Sequence, residues 1–323
     1  ADFDGLHYLE ADRKNITRLD GIAHLHDVEL LQLANNQITD LAPLRGLQHL
    51  HKLDLRNNAI ADLTPLADLT YLRELALQSN QIADLTPLGG LRHLQQLTMG
   101  SNPIADLAPI ANLNALTQLE IPNCTLESLG PLSSLHALVR FKASANQIRD
   151  LDPLHSLSQL KHLNLWGNQI TDLNPLTNLT NLRHLNLSTN NIQDLNALTT
   201  LLYLHTLRLD DNQIADLTPL HNLAALTELR LAKNQLQDLS PLANLPLEVL
   251  DLSHNQITDL NPLQNLTNLQ TLHLAENQIA DLSPLLNLPS LKVLEIWDNP
   301  LSPTSLTVHI SSLQKSGVTV HYK

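Results

Sequence analysis

The residues best equipped for chemistry in this chain recur at one spacing. His162 and His184 stand 22 positions apart, so on neighbouring strands two imidazoles could approach one metal ion. Zinc takes three or four protein ligands and no third is evident, so the pair reads as surface. Asp40, Asp62, Asp84, Asp106, Asp150, Asp172, Asp194, Asp216, Asp238, Asp259 and Asp281 form a second row. Carboxylates in file suggest calcium. The surrounding phrase Asp-Leu-x-Pro-Leu, however, predicts that each caps the N-terminus of a short turn whose φ is preset by a proline such as Pro175. Cys124 is the one cysteine, with no base and no exposure indicated, which predicts a buried structural thiol rather than a nucleophile. No Ser/His/Asp set, CxxC pair, HExxH motif or glycine-rich phosphate loop is present, and the chain holds only 9 glycines. The reading is non-enzymatic, with no metal and no cofactor.

Binding chemistry is better represented. Arg140, Lys142, His162, Asn164, Trp166, His184, Asn186, Arg208, Asp210 and Arg230 occupy alternate positions in successive copies of one short segment. On a chain of net charge −13 they gather cations around one of only 2 tryptophans. Trp and Arg are the residue types that most often carry interface energy, so these ten residues are the predicted partner-binding set. An acidic chain with one aromatic in the patch does not suit nucleic acid.

The elements that must position them follow from the period. Leu160 to Asn181 reads LKHLNLWGNQITDLNPLTNLTN, and the line repeats from Leu6 in steps of 22, with one copy a residue short at Leu245-Pro246-Leu247. About fourteen copies result, leaving almost nothing outside them. The leucine spacing fits neither a sustained helix nor a long strand, but a short strand, a turn and a half-helical return. In LKHLNLWGN, Leu163 and Leu165 face inward while His162, Asn164 and Trp166 face outward. A buried turn must satisfy its own backbone, and an inward amide offers two donors and an acceptor. Asn36, Asn58, Asn80, Asn102, Asn146, Asn168, Asn190, Asn212, Asn234, Asn255, Asn277 and Asn299 therefore read as a structural ladder, with Cys124 in the same column.

Composition agrees. Aromatics are 2% of the chain against 43% hydrophobic residues, so the core is aliphatic. A repeat array grows along one axis, which predicts a single monomeric domain over 1–323. No apolar run reaches the length of a membrane span, so membrane insertion is not expected. The chain starts at Ala1, and Asp2-Phe3-Asp4 shows no charged-then-apolar leader; a removed leader and an excised piece both stay open.

The phrases NQITDLNPLTNLTNL (Asn168 to Leu182) and NQITDLNPLQNLTNL (Asn255 to Leu269) resemble bacterial leucine-rich repeats of the 22-residue, internalin-like type. The resemblance implies an α/β solenoid, a curved array with a concave parallel β-sheet and a convex side of mostly 3₁₀ turns. It also implies a protein partner on the concave face and a secreted or cell-surface location. The same pattern admits Asn or Cys at the ladder position, which accommodates Cys124. Two alternatives keep the fold: a cytoplasmic scaffold or enzyme regulator resembling the phosphatase-regulating repeats, and a structural spacer without a ligand.

Along the chain, residues 1–27 read as a degenerate capping repeat, with Lys14, Arg18 and Gly21 replacing the usual Asn, Asp and Pro. Residues 28–299 are regular repeats. From Val28 to Asn114 the outward positions are small or neutral, among them Gln32, Ala34, Ala76, Gln96, Thr98 and Gly100, a bland surface. Pro122 is expected to remove one ladder hydrogen bond and Phe141 with Ala143 to exchange core volume. That irregular stretch is either a repaired defect or a kink that re-aims its neighbours. Residues 300–323 read as a C-terminal cap, with a helix over Ser305 to Lys315, a stop at Gly317 and a strand over Val318 to Tyr322, against which Trp297 is expected to pack.

Overall fold

The computed structural model describes residues 5–322. The charge pattern at Asp2-Phe3-Asp4 lies outside the described residues. The chain forms two compact units, Ala1–His162 and Leu163–Lys323. The first carries β1 (Tyr8–Glu10), β2 (Leu30–Gln32), β3 (Lys52–Asp54), β4 (Glu74–Ala76), β5 (Gln96–Thr98), β6 (Gln118–Glu120) and β7 (Arg140–Lys142). These pair in parallel and in sequence order. The unit boundary falls inside β8 (His162–Asn164). The second unit continues with β9 (His184–Asn186), β10 (Thr206–Arg208), β11 (Glu228–Arg230), β12 (Val249–Asp251), β13 (Thr271–His273), β14 (Val293–Glu295) and β15 (Thr319–His321), again parallel and in order. Each return segment up to β14 is a short 3₁₀ turn, such as Thr64–Leu66 and Asn174–Leu176. The fold is a leucine-rich-repeat solenoid.

The strands are three residues long because only the Leu-x-Leu core of each repeat alternates; their inward leucines, such as Leu53, Leu75, Leu185 and Leu207, are at most 2% exposed. Directly before each ladder residue the backbone turns left-handed, at Asn35 (φ 57°), Ser101 (φ 55°) and Thr189 (φ 55°), with Gly167 the one glycine in that column. Asn tolerates this region while a β-branched Thr does not, so its persistence at Thr189 shows that the surrounding bonds over-determine it. Thr189 N–H donates to Asp210 O at 2.7 Å.

The ladder amides tie each turn to the one before it. Asn190 Oδ1 accepts from Ile170 N–H at 3.0 Å, and Asn190 Nδ2 donates to Leu165 O, Leu187 O and Ser188 O. Asn58 repeats this geometry in the first unit with Ile38, Leu33, Leu55 and Arg56. At Cys124 the thiol makes only long contacts to Met99 O (3.9 Å) and Pro122 O (3.7 Å), and burial pushes its pKa up. Ile104 N–H, the donor that an asparagine would have met, turns instead to Asn102 O at 2.8 Å.

Three sequence expectations need correction. The aspartates do not occupy the N-cap: Asp172 Oδ1 accepts from Asn174 N–H at 2.9 Å, while Leu173 holds the cap position without a side-chain bond. The 3₁₀ turn begins one residue later than a capped helix would, so the carboxylate closes an Asx-turn across the cap. Pro122 removes no ladder bond. At that column the N–H lies outside the backbone ladder and seeks a side chain, as Arg56 N–H does with Asp54 Oδ1, Trp166 N–H with Asn164 Oδ1 and Ala34 N–H with Asp12 Oδ1. β6 accordingly keeps its register with β5 and β7. What Pro122 does require is Gly100: a Cβ at Gly100 would lie 2.6 Å from the proline ring and 2.7 Å from Pro122 O. The third correction concerns Trp297, described with the binding face below.

At the N-terminal end Lys14, Arg18 and Gly21 are exposed, yet Leu6, Leu9, Leu19, Ile22 and Leu25 line an open apolar hollow of about 290 Å³. At the other end, a π-turn over Ser305–His309 runs into α1 (Ile310–Lys315), and β15 follows. Ile310, Leu313 and Val318 are buried, which closes the last leucine layer.

Candidate partner-binding face

In the first unit, Arg140 and Lys142 stand on β7 and His162 opens β8; all three are half-buried. Lys142 Nζ is paired with Glu120 Oε1 at 2.9 Å, one strand away, so its charge is already answered.

In the second unit the geometry is denser. Trp166 is 44% exposed, held at the end of β8 by its N–H bond to Asn164 Oδ1 at 3.1 Å. Asn186 repeats the device for Ser188 N–H at 3.0 Å. His184 Nδ1 meets Thr206 Oγ1 at 3.2 Å, and its ring lies 6.4 Å from that of His205. Arg208 and Arg230 converge on one oxygen: Glu228 Oε1 accepts from Arg208 Nη2 at 3.0 Å and from Arg230 Nε at 2.9 Å. Asp210 accepts from Ser188 Oγ and Ala232 N–H, both at 3.0 Å. Burial pushes its carboxyl above the usual range, and the Ala232 and Ser188 hydrogen bonds partly oppose that rise.

The structure therefore brings Asn164, Trp166, His184, Asn186, Arg208, Asp210 and Arg230 together on outward positions of β8 to β11 and the loops that follow. Sequence reasoning left Glu228 and Ser188 out of the set, although Glu228 organises both arginines. Its signal was available: it opens β11 with Arg230 two residues on, and Arg208 stands in register with Arg230 across the strand pair. Trp297 stands on the outward column, next to the inward Ile296, and not in the leucine layer that the C-terminal cap closes. It occupies the same repeat position as Trp166, half-buried, with its ring edge-on to His254 at 6.2 Å.

Ser305, His309 and Asp281 do meet, but not as a catalytic set. Ser305 Oγ and Asp281 Oδ1 both approach His309 Nδ1, at 3.3 and 3.4 Å, and Ser305 is fully buried and donates to Ala280 O at 2.8 Å. A nucleophile needs the base between it and the orienting acid, so this cluster pins the cap to the last repeats. Among the described residues no three His, Cys, Asp or Glu side chains converge as metal ligands, and no helix is long and apolar enough to cross a membrane.

The family model for Leucine Rich repeats (2 copies) matches residues 26–68, 72–112, 158–200, 204–244, 247–286 and 267–309. Among solved structures, the chain is similar to an internalin (inlF) of Listeria monocytogenes, with 31% identity and a TM-score of 0.89, over 92% of this chain and 87% of that one. A leucine-rich-repeat protein of Leptospira interrogans matches at 25% identity and a TM-score of 0.79, over 99% and 97%. The ectodomain of the Arabidopsis thaliana receptor kinase GASSHO1/SCHENGEN3, solved in complex with CASPARIAN STRIP INTEGRITY FACTOR 2, shares the fold at 24% identity and a TM-score of 0.72, over 87% and 40%. No curated protein matches the sequence.

Proposed function

Because the chain belongs to the leucine-rich-repeat family in its internalin-like form, we propose that it is a protein-binding module, secreted by or displayed on a bacterium. The outward strand positions of its second unit hold the partner. One observation carries this reading: Trp166 is exposed on a bed of ordered polar groups, with Arg208 and Arg230 fixed around Glu228 nearby. A tryptophan has only two side-chain torsions to fix on binding, and arginines already ordered by a carboxylate have part of their freedom spent beforehand. The acidic chain as a whole favours encounter with a basic or mixed-charge surface. We place no chemistry on this face beyond recognition, and we take the binding species to be the monomer.

The test is affinity capture by the purified chain and by a Trp166→Ala, Arg208→Ala variant, with circular dichroism showing that both are folded. A partner retained by the parent and released by the folded variant supports the site. Equal retention sinks the site but keeps the module, and retention by neither favours the spacer reading.

A further inference from the structure

The outward side of the first unit, bland in sequence, holds a pit. On β4 the small side chain of Ala76 stands in register between Asp54 of β3 and Thr98 of β5. Glu74 precedes it and Gln78 follows it, both with longer side chains, and the result is a hollow of about 210 Å³ with Ala76 as its floor. Pockets that enclose small molecules run to roughly 300–1,000 Å³, so this one is sized for a single large side chain.

Its lining is charge-balanced. Lys52 Nζ pairs with Glu74 Oε2 at 2.8 Å, and Arg56 Nε reaches both oxygens of Asp54, at 2.9 and 3.0 Å. The Asp54 side chain is only 7% exposed beneath that guanidinium. A charged guest would find each opposite charge already engaged, and removing an uncompensated ion from water is costly. One group is not engaged. Gln78 Oε1 is the one buried side-chain polar atom among the described residues with no hydrogen-bond partner. The terminal torsion of a glutamine is broad, so its amide can turn toward the pit and accept from whatever enters. The stems of Lys52 and Arg56, with the Ala76 methyl, supply apolar walls.

We propose that this pit is a second anchoring subsite, and that it takes a neutral aromatic side chain tipped with a donor, a tyrosine of a partner protein. The ring rests on Ala76 between the two ion pairs, and the phenol O–H donates to Gln78 Oε1. The proposal rests on the reading that a partner docks on the outward strand face, but its chemistry is testable without that partner.

The probe is 4-methylphenol, titrated into the ¹⁵N-labelled full chain beside toluene, which lacks the donor, and benzylamine, which carries a charge. The Gln78 side-chain amide and the Ala76 backbone amide are the reporters. The expected result is that 4-methylphenol binds at least tenfold tighter than either control. Ala76→Leu, which fills the pit, then abolishes binding, and Gln78→Met lowers 4-methylphenol to the level of toluene. Equal binding of toluene, tighter binding of benzylamine, unchanged binding by Ala76→Leu, or no shift at these reporters up to saturation overturns it. Trp166→Ala leaves this titration unchanged, so failure of the second-unit site and failure of the pit give separate results.

Discussion

The two units place very different side chains on the same column of the same repeat. In the first, the position two residues before the ladder carries Asp12, Ala34, Arg56, Gln78, Gly100, Pro122 and Ser144; in the second it carries Trp166, Ser188, Asp210, Ala232, Ser253, Ala275 and Trp297. The backbone at this column is equivalent, and its N–H, which Pro122 lacks, lies outside the sheet ladder. In the first unit the column is constrained by its neighbours: Gly100 must yield to Pro122, and Gln78 leaves an acceptor unmet beside a pit. In the second, Ser188 and Asp210 are tied together by a hydrogen bond while Trp166 projects, and the flanking cations are gathered by Glu228. Charge in the sequence is therefore a poor guide to free charge on the surface. The cations marked as a binding patch are largely paired, while the neutral stretch contains the hollow.

The sharpest way to break this comparison is at Trp166. Replacing it by Ala should weaken partner binding by about 2 kcal/mol or more, roughly 30-fold, measured by calorimetry against the captured partner. Ser144→Ala at the same column of the first unit, outside the pit, should leave that affinity within about twofold; an equal loss would show that the column, not the tryptophan, matters.

Stability changes come next. Gly100→Ala should cost about 1–3 kcal/mol by overpacking against Pro122, read from urea midpoints. A tolerated Gly100→Ala would mean that the Pro122 segment can shift aside. In the ladder, Asn190→Ala should cost about 1–3 kcal/mol by stranding Ile170 N–H and several carbonyls. Cys124→Ala should cost under about 1 kcal/mol, because Ile104 N–H has already found Asn102 O.

Glu228→Gln should change stability by no more than about 1 kcal/mol, since these pairs are partly exposed, but it frees two cations. The salt dependence of partner association should then shift.

The smallest effect should be common to both units. Hydrogen bonds from Thr64, Thr86, Thr218 and Ser240 hold Asp62, Asp84, Asp216 and Asp238 below the usual carboxylate range. A depressed folded pKa gives stability that is present above the unfolded value of 3.8 and lost as pH falls through the lower folded one. Melting points should therefore fall on acidification below about pH 4. In Thr64→Val that fall should be shallower, because the hydroxyl is the largest cause of the Asp62 shift.

The fold was legible because its signals are local and periodic. Leu163 and Leu165 predict their own burial, and the column of asparagines predicts a ladder, since each satisfies a need created within one turn. The aspartate row was recognised, yet its place in the turn was wrong by one residue, because an Asx-turn and an N-cap share composition and differ only in where the 3₁₀ turn begins. The left-handed column before the ladder was not legible: Asn35 hints at it, but Thr189 and Ala145 argue against it, and only the bonds from neighbouring turns hold them there. Of the candidate site, the residue types and their outward direction were readable, while the role of Glu228 and the position of Trp297 were not.

Period and alternation dictate which atoms face inward, since burial of leucine rewards one register and penalises a one-residue slip. Pairing among outward side chains obeys no such rule. Whether Arg208 answers Glu228, whether Arg56 closes over Asp54, and whether Ala76 leaves a hollow all depend on side-chain reach across strands some 20 residues apart in sequence. Long side chains choose partners by distance and desolvation after the turns have stacked, so the charges that remain free, and the acceptor left unmet, exist only in the folded chain.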